Sequence, residues 1–107
     1  MKKDQMDLNL VSPIKSYNNA ETSKEEVLKT NRGQSGIYRW VNNLNGKSYV
    51  GSALDLAKRL VSYYNIKELS RNSRPIKDAL LKYGHSNFTV EILEYCSKTN
   101  LLESCVN

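Results

Sequence analysis

The pattern of polar and apolar positions in this chain changes character at about residue 34. Up to Gly33 the sequence is a mostly polar arm with one helix-start signal. Thr22-Ser23-Lys24-Glu25 has the spacing at which a Thr hydroxyl and a Glu carboxylate satisfy free backbone N–H groups, which predicts a short helix through Lys29, ended by Gly33. From Ser35 to Val41 the side chains alternate as in a strand and are rich in aromatic and β-branched types. Asn45-Gly46 then supplies a hairpin turn, since both residues tolerate positive φ, and Lys47-Ser48-Tyr49-Val50-Gly51 returns as a second strand.

Beyond Gly51 the apolar period lengthens to that of a helix. Leu56, Leu60 and Tyr64 recur at i, i+4 and i+8, with Asp55 or Ser52 as the cap. Arg59 and Tyr63 are four apart on another side of the same helix and so are neighbours. A loop rich in Ser, Arg and Asn leads to Pro75, which suits a first helical turn. Ile76, Ala79, Leu80 and Tyr83 mark an apolar face, and Gly84 ends that helix. Phe88, Val90 and Ile92 alternate as a third strand reaching about Tyr95, and Asn100 caps a final helix that has barely begun at Asn107. Hairpin, helix, helix, strand and start of helix predict an α+β fold: a small three-stranded antiparallel sheet flanked by helices, over residues 34–107, preceded by the arm 1–33.

Composition narrows the picture. A chain of 107 residues supports one small domain with a modest core. At 39% hydrophobic and 25% charged it is too apolar for full disorder. No apolar run approaches the roughly 18 residues of a membrane span. The start, Met1-Lys2-Lys3-Asp4-Gln5-Met6-Asp7, has no apolar signal core, and its acidic residues argue against a cleaved organellar presequence. The net charge of +5 favours an anionic partner, nucleic acid being the commonest. Most of the excess falls between Ser48 and His85, where Lys58, Arg59, Lys67, Arg71, Arg74, Lys77 and Lys82 face only Asp55, Glu68 and Asp78. Cys96 and Cys105 have no metal-site spacing and read as reduced thiols, and His85, between Gly84 and Ser86, reads as a surface histidine in a turn. Nothing points to a protein partner, and a monomer is expected.

The chemistry lies in the hairpin and the helix after it. Gly36-Ile37-Tyr38, ten further residues, then Tyr49-Val50-Gly51 resembles the paired signature of the GIY-YIG endonuclease family, with Arg59 eight residues past Gly51 and Tyr63 one turn on. The wording is closest to the intron-encoded homing endonucleases of fungal mitochondria. Ser35-Gly36-Ile37-Tyr38-Arg39-Trp40, Ala79-Leu80-Leu81-Lys82-Tyr83-Gly84 and Glu91-Ile92-Leu93-Glu94-Tyr95-Cys96 look like that subgroup, and the match runs from about Gln34 to Glu103. The resemblance implies a metal-dependent endonuclease that hydrolyses phosphodiester bonds of double-stranded DNA, with Mg²⁺ or Mn²⁺ as cofactor and the mitochondrion as location. It implies Tyr38 as general base or water-positioning group, Arg59 on the phosphate, and Tyr49 and Tyr63 ordering or protonating the site.

Physical chemistry allows those roles. Tyr38 and Tyr49 lie on adjacent strands, so their phenols can converge beside one phosphate. A phenol of pKa about 10 is a poor base unless a cation lowers it, and Arg59 would supply that field while clamping phosphate oxygens with its planar fork. Gly36 and Gly51 would permit close approach within the sheet. Lys58, Arg74 and Lys77 are candidates for sequence-independent phosphate contacts, although for each one alone a solvated surface charge is the better reading.

The pattern breaks near the end. The family holds its metal through a glutamate on the helix after the third strand, and here that run reads Leu101-Leu102-Glu103-Ser104-Cys105. Cys105 occupies the ligand's place, and Glu103 lies two residues earlier, about 200° round a helix. The expectation is a C-terminally truncated module, without the family's later DNA-reading region, that cuts poorly or not at all. A non-catalytic basic module that binds nucleic acid is the alternative.

Overall fold

The computed structural model describes residues 12–65 and 74–96. The final helix expected after Asn100, and Glu103 and Cys105 within it, lie outside these. In chain order the elements are β1 (Lys15–Tyr17), α1 (Lys24–Thr30), β2 (Ser35–Asn42), β3 (Ser48–Ala53), α2 (Leu56–Tyr64), α3 (Pro75–Tyr83), a single 3-10 turn (His85–Asn87) and β4 (Phe88–Cys96). They form an antiparallel sheet in the order β1-β4-β2-β3 with helices packed on it.

The sheet has four strands where the sequence pattern predicts three. The extra strand comes from the polar arm. Lys15-Ser16-Tyr17 is too short and too polar to show a period of two, and it becomes a strand because β4 offers a free edge, pairing Lys15 with Ile92 and Tyr17 with Val90. Its continuation, α1, places the fully buried Val27 in the core. The Thr22–Glu25 capping box does not form: the α1 N-cap is Ser23, without a side-chain cap bond. Asn19 takes over instead, its Oδ1 accepting from the Glu21 and Thr22 N–H groups.

The hairpin is present with a looser turn than a two-residue loop. β2 ends at Asn42 and β3 begins at Ser48, and in the connection only Gly46 has positive φ, at +78°. Asn42 Oδ1 accepts from the Leu44 N–H and Asn45 Oδ1 from the Lys47 N–H, so the asparagines act through their side chains, not through left-handed backbone. Of the two candidate caps of α2, Asp55 is the one used, accepting from the Lys58 N–H at 3.2 Å. Pro75 opens α3, and Gly84 at φ +85° closes it, its N–H donating to the Leu80 carbonyl.

One face of the sheet carries the core. Trp40, Phe88, Val90 and Ile92 from the strands meet Leu56 and Leu60 of α2 and Leu80 of α3, all 0–1% exposed. Each such aliphatic or aromatic side chain contributes about 1.5–3 kcal/mol on burial, so α2 is held to the sheet by the residues that bracket Arg59 in sequence. On the opposite face, Arg39 Nε donates to Glu91 Oε1 at 2.6 Å, a nearly buried ion pair between directly opposed residues of β2 and β4. Cys96, at the end of β4, is in a disulfide bond, not a reduced thiol; Cys105 lies outside the described residues.

Candidate active site

The β2–β3 register builds the site. Tyr38 is directly opposite Gly51, and Trp40 directly opposite Tyr49, so all four share the core face of the sheet. A Cβ at Gly51 would overlap the Tyr38 hydroxyl and lie 2.6 Å from Cζ of its ring. Gly51 is therefore the gap through which the phenol crosses to the edge strand. Gly36 has a different reason for being glycine: its added Cβ would overlap the Glu94 carbonyl oxygen of the neighbouring strand, so it permits backbone approach.

Above the sheet, α2 delivers its side chains one turn apart. The Tyr63 and Tyr38 hydroxyls hydrogen-bond at 2.8 Å, either being the donor. The Tyr63 ring is wedged between Tyr38 and Trp40, edge-on to both at centroid distances of 5.9 and 5.6 Å. Tyr63 is thus both a core residue, 4% exposed, and a member of the site. His85 is half-buried, not a surface histidine: its ring stacks on Tyr64, and Nε2 lies 2.7 Å from the Tyr63 carbonyl, which fixes the end of α2.

Tyr38 is 3% exposed, and that burial pushes its phenol well above the ordinary range, with the Tyr63 hydrogen bond adding to the effect. Arg59 acts on the same hydroxyl in the opposite direction, through hydrogen bonding and its charge. The lowering by Arg59 foreseen from the sequence is therefore real but outweighed by burial. At neutral pH the Tyr38 phenol keeps its proton.

An open pocket of about 160 Å³ lies beside this pair, lined by Arg59, Ser62, Tyr63, Arg74 and Lys77. Tyr38 stands behind Tyr63 and reaches the pocket through that neighbour's hydroxyl. Arg59 and Arg74 are exposed at the mouth, whereas Lys77 is 8% exposed. A lysine read as a solvated charge is instead an inner wall, because α3 turns that side of its first turn toward α2. Ser62, not singled out from the sequence, also lines the pocket; its signal is the i+3 spacing from Arg59, whose carbonyl accepts its hydroxyl at 2.6 Å.

Of the other candidates, Tyr49 is half-buried on the same face, one pair along from Tyr38, and its hydroxyl has no hydrogen-bond partner among the described residues. Lys58 is exposed on the first turn of α2 and does not line the pocket. The pocket lining is cationic and phenolic, with no carboxylate, and no group of three or more His, Cys, Asp or Glu among the described residues could hold a metal. These side chains fit an anion, not a divalent cation.

Comparison with known proteins bears on the same region. Residues 34–104 match the family described as GIY-YIG catalytic domain. The chain is 32% identical over 83 residues to a probable intron-encoded endonuclease 1 of Neurospora crassa, an alignment covering 77% of this chain and 26% of that protein. It is 40% identical over 52 residues to the UvrABC system protein C of Yersinia enterocolitica, covering 49% of this chain and 8% of that one. The chain thus spans about a quarter or less of these curated relatives. Among solved structures, the catalytic domain of the intron endonuclease I-TevI, in a mutant form, superposes with a TM-score of 0.51 at 34% identity, covering 65% of this chain and 74% of that one. With the signature strands, the helix that follows them and a family match over most of its length, the chain belongs to the GIY-YIG family.

Proposed function

We propose that residues 34–107 form the catalytic module of an intron-encoded homing endonuclease of the mitochondrion, with 1–33 as its N-terminal arm, acting on phosphodiester bonds of double-stranded DNA. The observation that carries this reading is the Tyr38–Tyr63 hydroxyl pair, crossing at Gly51 and sharing Arg59 with a cationic pocket. Arg59 clamps the non-bridging oxygens of the scissile phosphate and neutralises charge that grows in the transition state. Tyr38, with its proton retained, orders the attacking water through the Tyr63 hydroxyl, and the proton that the water loses leaves to solvent through the open pocket. Tyr63 holds Tyr38 in place and offers a proton to the departing oxygen, a stronger base than a phenolate, while Tyr49 orders the phosphate from the neighbouring strand. Lys58, Arg74 and Lys77 contact flanking phosphates without reading sequence.

The family resemblance adds Mg²⁺ or Mn²⁺. A divalent cation would polarise the phosphate and acidify a bound water. None of the described residues would hold it, and along the sequence Glu103 is the acidic residue nearest the place of the family's ligand. Because Cys105 stands at that position, the 107-residue chain binds DNA and cuts it slowly.

The test is incubation of the full chain with duplex DNA and either metal, with binding measured in parallel. Arg59→Ala should abolish whatever cleavage the parent shows and leave binding within about tenfold. The second reading, a non-catalytic nucleic-acid-binding module, rests on a pocket lined by cations and hydroxyls without a carboxylate. It prevails if the chain binds duplex DNA yet never cuts with Mg²⁺ or Mn²⁺.

A further inference from the structure

Lys77 is the anomaly in the pocket. The residue is only 8% exposed, it lines a cleft that also holds Arg59 and Arg74, and among the described residues its side chain makes neither an ion pair nor a hydrogen bond. The packed stem therefore holds the ammonium at the cleft without a counter-charge beside it. The same wall has a second feature. α3 begins at Pro75 after an Arg74 N-cap that makes no side-chain cap bond, and the Asp78 N–H donates to the Arg74 carbonyl. The N–H groups of Ile76 and Lys77 therefore sit in a first turn that the Arg74 side chain does not cap, at the positive end of a nine-residue helix. Asp78, the acidic residue of that turn, is exposed and does not line the pocket. α2 differs, since Asp55 already fills its N-terminus.

We propose that the first turn of α3, with Arg74 and Lys77, is a socket for one backbone phosphate of the nucleic-acid strand, separate from the phosphate held at Arg59, Tyr63 and Tyr38. The proposal rests on the nuclease reading and sharpens its substrate class. The two phosphates would be neighbours on one strand, so the site binds a strand that continues past the scissile bond. Lys77 supplies the point charge, Arg74 closes the mouth, and the free N–H groups of the helix start bind the oxygens.

The experiment has two arms on the full chain. Inorganic phosphate is titrated while backbone amide resonances are followed by NMR. The Ile76 and Lys77 amides should shift saturably in the parent protein, and the shift should vanish in Lys77→Met, which keeps the length of the stem. Duplex DNA affinity is then measured against salt concentration. One lost phosphate contact lowers the log–log slope by about 0.9, so Lys77→Met should lose about one unit of slope and Arg74→Ala a similar amount, while Lys29→Met on exposed α1 should not change it. Unmoved amides in the parent protein overturn the socket without reference to any variant. Phosphate binding with an unchanged DNA slope in both variants overturns the strand assignment and makes the site one for free phosphate. Neither result touches the nuclease reading, which stands or falls on the Arg59→Ala cleavage assay.

Discussion

The Tyr38 phenol lies over Gly51, the residue directly opposite it on the neighbouring strand, and fills the volume that a β-carbon would take there. The two signature tripeptides are thereby one object: a tyrosine in the first and the glycine that admits it in the second. The hydroxyl emerges at Tyr63, where α2 meets the sheet, and that meeting point connects it to Arg59 and the pocket.

Gly51→Ala should displace the phenol and break the Tyr38–Tyr63 bond. The expected cost is about 1–3 kcal/mol, as for other overpacked sites, with cleavage lost. A Tyr38→Ala background should remove most of that stability cost, because the clash is with the side chain; strong non-additivity in chemical melts is the readout. Gly36→Ala should resist any comparable rescue, since its new Cβ meets the backbone of Glu94.

Tyr63→Phe keeps the ring between Tyr38 and Trp40 and deletes only the hydroxyl. Stability should fall by about 1 kcal/mol, the net worth of one hydrogen bond. The Tyr38 phenol should also titrate lower than in the parent, because one of the two main causes raising it is gone, and Arg59→Gln should move it the other way. Spectrophotometric tyrosine titration of the three proteins decides the order.

Alkaline pH should destabilise the fold through the same groups. Burial raises both Tyr38 and Tyr64 above their ordinary value of 10.0, so the folded chain holds two protons that the unfolded chain releases. Their contribution is complete below pH 10 and is lost as pH rises from there toward the folded values. Denaturant melts should therefore show no loss from these two groups between pH 7 and pH 9, and a decline beginning near pH 10. A flat stability curve past pH 11 would refute the assignment.

On the far face, breaking the Arg39–Glu91 pair from one side should be expensive. Glu91→Gln replaces the charge-assisted bond from Arg39 Nε with a neutral one in a nearly buried site, at a cost of about 1–3 kcal/mol. Replacing both with Met and Leu should cost less than the single change, the two positions being directly opposed on adjacent strands. The comparison of midpoints in urea is the check.

The metal question has its own assay. Cleavage of duplex DNA by the full chain in Mg²⁺ is expected to be slow or absent, and Glu103→Ala should change it little. Robust Mg²⁺-dependent nicking that Glu103→Ala abolishes would make Glu103 the ligand.

What the sequence determined by itself is whatever depends on neighbours along the chain. The alternation from Ser35, the 3.6-residue period of Leu56 and Leu60, the Asp55 cap, Pro75 at one end of α3 and Gly84 at the other are local choices, and each formed as its chemistry requires. The spacing of the two tripeptides and Arg59 was legible for the same reason: a hairpin and the helix after it are joined by short connections. The tertiary structure decided the rest, where partners are distant in sequence. Lys15–Tyr17 became a strand because β4 had an open edge, which nothing in those three residues announces. Tyr38 had its ionisation pushed upward by burial under α2, and Arg39 found Glu91 fifty-two positions away. Lys77 was drawn into a wall because α3 docks with that side of its first turn toward Arg59. Periodicity tells which side chains share a face of an element. Only docking decides which of those faces meets a neighbour and which charges are left in a pocket to wait for an anion.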